Sequence, residues 1–329
     1  LRTGRNVPLS QPGPERDADV PEKLFRSVKH LNHTVIALGF FDGVHRGHGA
    51  LLSKTVERAR ELGVTPAVFT FDRPPKEVVT GKPVYLINSP EDRRGLIERI
   101  YGIRDVILAP FDQAMMTMRW EDYIRMLIRD YGAVHFVAGH DHHFGHKNEG
   151  NPELLQAKCR ELGLGCDIIP KVEIEGITVS STYIRSLVQA GDMERAALFL
   201  GHPHCLSQTV GHGFRFGRTI GIPTVNLTVP GHVLVPGRGV YISRVTLADG
   251  RSFAGVTNVG TRPTVSDSDA VSVETFLIDF DGDLYGQQIR LDFYRRLRPE
   301  KKFDSVDALR REIEHNIDQT RTYFAEKNK

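Results

Sequence analysis

Two histidines stand three positions apart in the stretch GFFDGVHRGHGALL, residues 39–52. Before them, TVIAL is β-branched and apolar, the pattern of a buried strand. After them, Leu51, Leu52, Val56, Ala59 and Leu62 fall on one helical stripe that Gly63 closes. His45 and His48 therefore belong to a strand-to-helix turn, beside the free N–H groups of a helix start, where anions bind. Imidazole and backbone donors converging on a phosphate can stabilise the charge that develops during transfer, and Gly47 lets the substrate come close. A glycine-rich turn with two incidental histidines is the alternative.

A second anion-binding pattern is VSSTYIRSL, where Ser180, Ser181 and Thr182 open a helix and Arg185 follows as a counter-charge. By itself the hydroxyl run would only be an N-cap. A third is GHGFRFGRTIGIPTVNL, residues 211–227. Gly211, Gly213, Gly217 and Gly221 permit close backbone approach to phosphates, but the Gly-Lys-Ser/Thr ending of a Walker motif is absent. Thr224 and Asn226 lie two apart on an extended chain, so they share one face and can share one hard cation; a plain glycine-rich hairpin is the alternative. Glu274 lies in a strand-like run, where a buried carboxylate is costly without a role or partner. His140, His142, His143 and His146 crowd one short loop. They raise the question of a zinc or nickel site, against the preferred reading of a polar loop over the nucleotide site.

These residues need elements to hold them. From about residue 34 to 172, strand-like runs (TVIALG, TPAVFTF, DVILAPF, VHFVAG, DIIPKVEI) alternate with helical patterns that end at Gly102, Gly132 and Gly163. Asn151-Pro152 suits an N-cap with a first-turn proline. Such alternation predicts a parallel sheet with helices on both faces and ligands beyond the carboxyl ends of its strands. After about residue 202 strands and turns dominate. Asp249-Gly250 and Asp281-Gly282 read as hairpin turns, and a closing helix carries Val306, Leu309, Ile313 and Ile317 on one face. The second module is thus antiparallel β, a small barrel with a terminal helix, and the helical stretch 182–200 joins the two. The divisions are a flexible leader (1–21), the first module (22–186), a linker helix (187–201) and the second module (202–329).

Composition bounds the function class. The 329 residues carry a net charge of +2, too near balance for a nucleic-acid coat or membrane adhesion. No apolar run approaches the roughly 20 residues of a membrane span, and the polar start lacks the apolar core of a signal peptide. Cys159, Cys166 and Cys205 have no metal-ligand spacing and read as free thiols in a cytoplasmic protein.

The stretches GFFDGVHRGHGALL, TFDRPP, GHDHHFGHKNEG and VSSTYIRSLVQAGDMERAALFLGHPH resemble the adenylyltransferase module of bacterial bifunctional riboflavin kinase/FAD synthetases, within the HxGH nucleotidyltransferases. GRTIGIPTVNL, GRGVYISRV, GVTNVGTRPT, VETFLIDFDGDLYGQQIRLDF and LRPEKKF resemble the riboflavin kinase module, in order. The resemblance spans about residues 22 to 325. It implies a Rossmann-like nucleotidyltransferase domain and a six-stranded antiparallel riboflavin kinase barrel with a terminal helix. In the first, FMN phosphate would attack the α-phosphate of ATP to give FAD and pyrophosphate, without a covalent enzyme intermediate. His45 and His48 would stabilise the transition state. Asp42 would shape the turn near Mg²⁺, and Ser181, Thr182 and Arg185 would bind ATP phosphates. Gly39, Phe41 and Gly47 would border the nucleotide, and Asp141 the flavin. In the second, Glu274 would be the general base on the riboflavin 5′-hydroxyl, and Thr224 and Asn226 would bind MgATP. Gly211, Gly213, Gly217, Arg218, Gly221 and Pro223 would cradle the nucleotide, with Arg298 on a mobile loop beside the flavin. The chain departs from the family pattern at Arg73, His142, Asn148 and Thr178, which puts the strength of adenylyl transfer in question. A riboflavin kinase with a weak or repurposed first module, and a flavin- or metal-responsive regulator, stay open as alternatives.

Overall fold

The computed structural model describes residues 33–211, 217, 221–261 and 271–327. The leader 1–21, Gly213 and Arg218 lie outside the described residues.

The first module is a five-stranded parallel sheet. β1 (Thr34–Leu38) and β2 (Thr65–Phe71) flank α1 (Arg46–Leu62) in sequence. Two short helices that the sequence pattern did not indicate follow or precede the longer ones: α2 (Pro75–Thr80) before α3 (Pro90–Tyr101), and, after β3 (Asp105–Ala109), α4 (Gln113–Thr117) before α5 (Trp120–Tyr131). β4 (Ala133–Gly139), α6 (Pro152–Glu161) and β5 (Gly165–Ile169) complete the alternation. Strand order is β3-β2-β1-β4-β5, so the order reverses between β1 and β4 and opens a crevice at their carboxyl ends. β1 is buried along its whole length, as the run TVIAL requires of a central strand with helices on both faces. α1 ends on Gly63 in the left-handed region (φ 67°), and α3 and α5 end likewise on Gly102 and Gly132. Asn151 caps α6 by accepting from Leu154 N at 2.9 Å, as its side chain suits.

Four expectations need correction. Leu62 closes the α1 stripe in sequence but is 52% exposed, because the helix ends there and the sheet no longer covers it. DIIPKVEI is not one strand. β5 stops before Pro170, which has no N–H for a ladder, and β6 (Glu173–Ile174) pairs with β7 (Ile177–Thr178) in a separate hairpin. The joining stretch is two helices, α7 (Ser181–Ala190) and α8 (Met193–Leu200), broken at Gly191 and recapped by Asp192. Asp281-Gly282 is no hairpin turn: β12 lies between β11 and β9, and β13 between β10 and β8.

The second module is a closed antiparallel barrel, ordered β10-β11-β12-β9-β8-β13 and sealed by β13 on β10. Its strands are β8 (His204–Gly211), β9 (Thr224–Leu227), β10 (Gly239–Leu247), β11 (Ser252–Thr261), β12 (Val271–Leu277) and β13 (Gln288–Arg298). Asp249-Gly250 does turn β10 into β11. Along β12, Val273 and Leu277 enter the barrel core, while Phe276 packs with the outer cluster of Val240, Val256 and Ile278. Alternation puts Glu274 on that same outer face. α9 (Val306–Lys327) lies over it through Ile317, with Tyr323 and Phe324 against Ile242; Val306 is half-exposed and outside the contact. Among the described residues, no helix is long and apolar enough to cross a membrane.

The modules are stitched together. Asp92 of α3 accepts from Ser207 N of β8 at 3.1 Å, Asn88 donates to the Cys205 carbonyl at 3.3 Å, and His202 Nε2 lies 3.0 Å from the Gly43 carbonyl.

Candidate functional site

The crevice between β1 and β4 holds a cleft of about 500 Å³ lined by Gly39, Phe41, His45, Gly47, His48, Asp141 and Ser181, among others. His45 is the N-cap of α1. Its Nδ1 accepts from His48 N at 3.2 Å, which assigns the proton to Nε2. The two rings stack with centroids 3.6 Å apart and planes 13° off parallel, and Phe41 meets His48 edge-on at 5.2 Å. A side chain on Gly47 would press to 3.1 Å from the His45 ring. Burial pushes the His45 pKa down to about 4 and that of His48 well below the usual range. At neutral pH both rings are uncharged, so they offer N–H donors rather than cations.

Asp42, Thr182 and Arg185 are placed differently from the residues that line the cleft. Asp42 is buried behind the turn. One carboxylate oxygen accepts from Ile87 N at 2.9 Å and the other pairs with Arg185 at 2.7 Å. Arg185 also donates to the Tyr85 carbonyl at 2.9 Å, so its fork braces the protein. Burial raises the Asp42 pKa while Arg185 opposes the shift. Ser181 donates to the Asp42 carbonyl at 2.9 Å, tying the two phosphate-type turns together, while Thr182 is exposed.

Among the four positions that depart from the family pattern, His142 lines the cleft and stacks on Phe144 at 5.5 Å. Thr178 borders the cleft with its hydroxyl 3.3 Å from Glu173. Arg73 and Asn148 are exposed. Within the histidine loop, His143 Nδ1 lies 2.9 Å from the Asp141 carbonyl and His146 opens a 3₁₀ turn. Among the described residues, no three His, Cys, Asp or Glu side chains gather as a metal-binding group.

The buried histidines have a consequence for stability. His45 and His204 have folded pKa values of about 4, below the unfolded value near 6.5. Their contribution is complete above pH 6.5 and is lost as pH falls towards 4, because only the unfolded chain takes up the protons. Each accounts for roughly 1.4 kcal/mol by pH 5.5. Asp42 and Asp92, with raised pKa values, oppose this lower in the range. The thermal midpoint should therefore drop between pH 7.5 and 5.5; a flat or rising midpoint would contradict this assignment of neutral rings.

The second cleft, about 370 Å³, lies between the outer face of the barrel and α9. Glu274 sits in register between Asn226 of β9 and Asn258 of β11. Directly opposed residues share a face, so three polar side chains form one row across three strands. Thr224 borders the cleft, and Asn226 lies deeper, 6% exposed. Gly217 and Arg298 also line it. Gly211 pairs with Asn226, while Pro223 borders a small pocket on the other side of Thr224; Gly221 lies in a turn two residues before Pro223. Arg298 ends β13 and is anchored to Glu312 at 3.0 Å and to Asn316 at 3.2 Å. Glu312 also holds Lys301.

Sequence reasoning missed Asn258, Glu312 and Arg93. Strand pairing brings Asn258 beside Glu274, and no local pattern marks that pairing. Glu312 looks like any solvated helix charge. Arg93 stands in PEDRRG next to Arg94, and composition cannot tell the buried arginine from its half-buried neighbour.

Both halves of the chain have counterparts among known proteins. Residues 27–183 match the FAD synthetase family and residues 200–324 the riboflavin kinase family. Proteins described as bifunctional riboflavin kinase/FMN adenylyltransferase are similar over nearly the whole chain. The one from Pseudomonas fluorescens is 35% identical, covering 88% of this chain and 93% of its own. The one from Bacillus subtilis is 33% identical (89% and 93%), and that from Escherichia coli K12 is 34% identical (92% and 98%). A crystal structure described as a macrolide-efflux protein from Streptococcus pneumoniae shares the fold, with a TM-score of 0.78 and 29% identity over 88% of this chain and 94% of that one. With both family models matched in order and full-length relatives above 30% identity, the chain belongs to the bifunctional riboflavin kinase/FMN adenylyltransferase family, the enzymes of FMN and FAD formation.

Proposed function

We propose that riboflavin is phosphorylated in the cleft under α9 and that the FMN is adenylylated in the β1/β4 crevice. In the first reaction the 5′-hydroxyl oxygen of riboflavin bonds to the γ-phosphorus of ATP. Glu274 takes the hydroxyl proton, and ADP leaves. Thr224 and Asn226 offer hard oxygen donors on one strand face, a set that fits Mg²⁺; the ion, when bound with ATP, neutralises phosphate charge. Arg298 would border the flavin. In the second reaction an FMN phosphate oxygen bonds to the α-phosphorus of ATP, and pyrophosphate leaves. His45 and His48 donate N–H groups to the oxygens of the crowded phosphate, while the α1 start holds phosphate oxygens and Ser181 ties the two turns together. Asp42 and Arg185 then act by bracing the turn.

The observation that carries this reading is the stacked, neutral His45–His48 pair at the switch point of one module together with the Asn226–Glu274–Asn258 row in the other. ATP, riboflavin and FMN are the partners of the reading, with neither nucleic acid nor membrane, in the cytoplasm, where the free thiols of Cys159, Cys166 and Cys205 are at home. Incubation with riboflavin and MgATP, followed by separation of the flavins, tests it. FMN should appear first and FAD later. FMN that never proceeds to FAD would favour a kinase with a repurposed first module, and neither product would leave a flavin binder.

A further inference from the structure

Behind the wall of the β1/β4 crevice lies a charge that the chemistry above does not use. Arg93, on the first turn of α3, is 1% exposed. Its Nη1 donates to the Phe40 carbonyl and its Nη2 to the Phe71 carbonyl, each at 2.6 Å. Its guanidinium carbon lies 4.5 Å from the centroid of the Phe40 ring. Among the described residues it makes no ion pair, and its Nε is buried without a partner. Burial pulls its pKa down to about 10, with Asp42 and Asp72 opposing, so it stays charged at neutral pH. An unpaired buried cation is expensive, and an apolar residue of like volume would fill a core at less cost. The fork therefore calls for a reason.

The reason lies in what its two carbonyls do. Phe40 lies two residues beyond the end of β1 and Phe71 ends β2, and both residues line the cleft. The Phe40 carbonyl also accepts from Thr70 Oγ1 at 2.9 Å. Directly after it, Phe41 takes φ of +56°, and three residues further on Val44 takes φ of +43°. Bulky residues rarely occupy the left-handed region, and such conformations last only where neighbours over-determine them. Two donors on one carbonyl supply that constraint. Phe41 in turn packs edge-on against His48 at 5.2 Å. A chain of contacts thus runs from Arg93 through the Phe40 carbonyl and Phe41 to the His48 ring. A lysine could not span both carbonyls with parallel bonds.

We propose that Arg93 is a positioning residue for adenylyl transfer: it clamps the carboxyl ends of β1 and β2 and so sets Phe41 and the His48 ring against the reacting phosphate. The inference rests on the proposed adenylyl transfer in this crevice.

The test uses the full chain carrying Arg93→Met, Arg93→Lys or Thr70→Val, with FMN formation in the barrel as the control for folding. Small misplacements of reacting groups cost on the order of 10²-fold. Arg93→Met should lower kcat for FAD formation by about that factor, with KM for ATP moved less than about threefold and FMN formation within about twofold of the parent. Arg93→Lys keeps the charge without the fork and should recover only part of the loss. Thr70→Val, which leaves the buried cation in place, should cost roughly tenfold in kcat, and it decides the matter if the Arg93 variants fail to fold. An Arg93→Met enzyme with a lower thermal midpoint but parental kcat would make Arg93 a core support only and overturn the proposal; parental kcat in Thr70→Val would do the same. A parent enzyme that makes no FAD would instead overturn the assignment of the crevice.

Discussion

Glu274→Gln should abolish FMN formation while FAD formation from supplied FMN stays within about twofold of the parent. Loss of a positioned general base typically costs about 10²–10⁴ in rate, the largest effect expected of any single change in this chain. The glutamine keeps the size of the side chain and can still hydrogen-bond towards Asn226 and Asn258, its partners in register. It cannot take the hydroxyl proton. The barrel should survive the change, because its core is built from Val273, Leu277 and residues facing them, on the opposite side of β12. Separate assays of the two products, with the thermal midpoint as a check on folding, measure the effect. Equal loss of both activities would show either that Glu274 is structural or that the modules do not work independently.

The fold was legible where one strand or one helix carries its own signal. TVIAL, the glycine-closed helices and the Asp249-Gly250 hairpin could each be read from a few neighbouring residues, and each is present. One class of error comes from pairing, which is non-local. Asp281-Gly282 has the chemistry of a hairpin turn, yet β12 and β13 are not neighbours, and nothing within the turn reveals that. The same cause hid Asn258, which meets Glu274 only because β11 lies beside β12. In the crevice, His45, His48 and Ser181 all line the cleft. Arg185 looked like a phosphate ligand, because a helix start with an adjacent arginine suits one; the fold gives its fork to Asp42 and Tyr85. A sequence shows that a charge is present but not which partner claims it. Arg93 is the extreme case, a core residue written in the alphabet of a surface helix.

His48→Ala should lower adenylyl transfer by about 10²–10³-fold, the usual cost of removing one donor aimed at developing charge, and leave FMN formation unchanged. The state of the ring decides where the loss falls. Stacked on His45 at 3.6 Å and partly withdrawn from water, it is held neutral, so its contribution is a fixed N–H rather than a positive charge. A neutral donor needs no proton uptake and does not bind a polyanion tightly in the ground state; it acts where charge concentrates in the transition state. The loss should therefore fall on kcat more than on KM for ATP. It should also be independent of pH between about 6 and 8, since neither ring titrates there. His48→Asn, which keeps an N–H donor of shorter reach, should recover part of the rate where His48→Ala does not. If the alanine variant makes FAD at the parental rate, the imidazole is only packing against Phe41. If the loss instead grows as pH falls through 6.5, the ring works as a cation, and the neutral pair described here is the wrong state of the site.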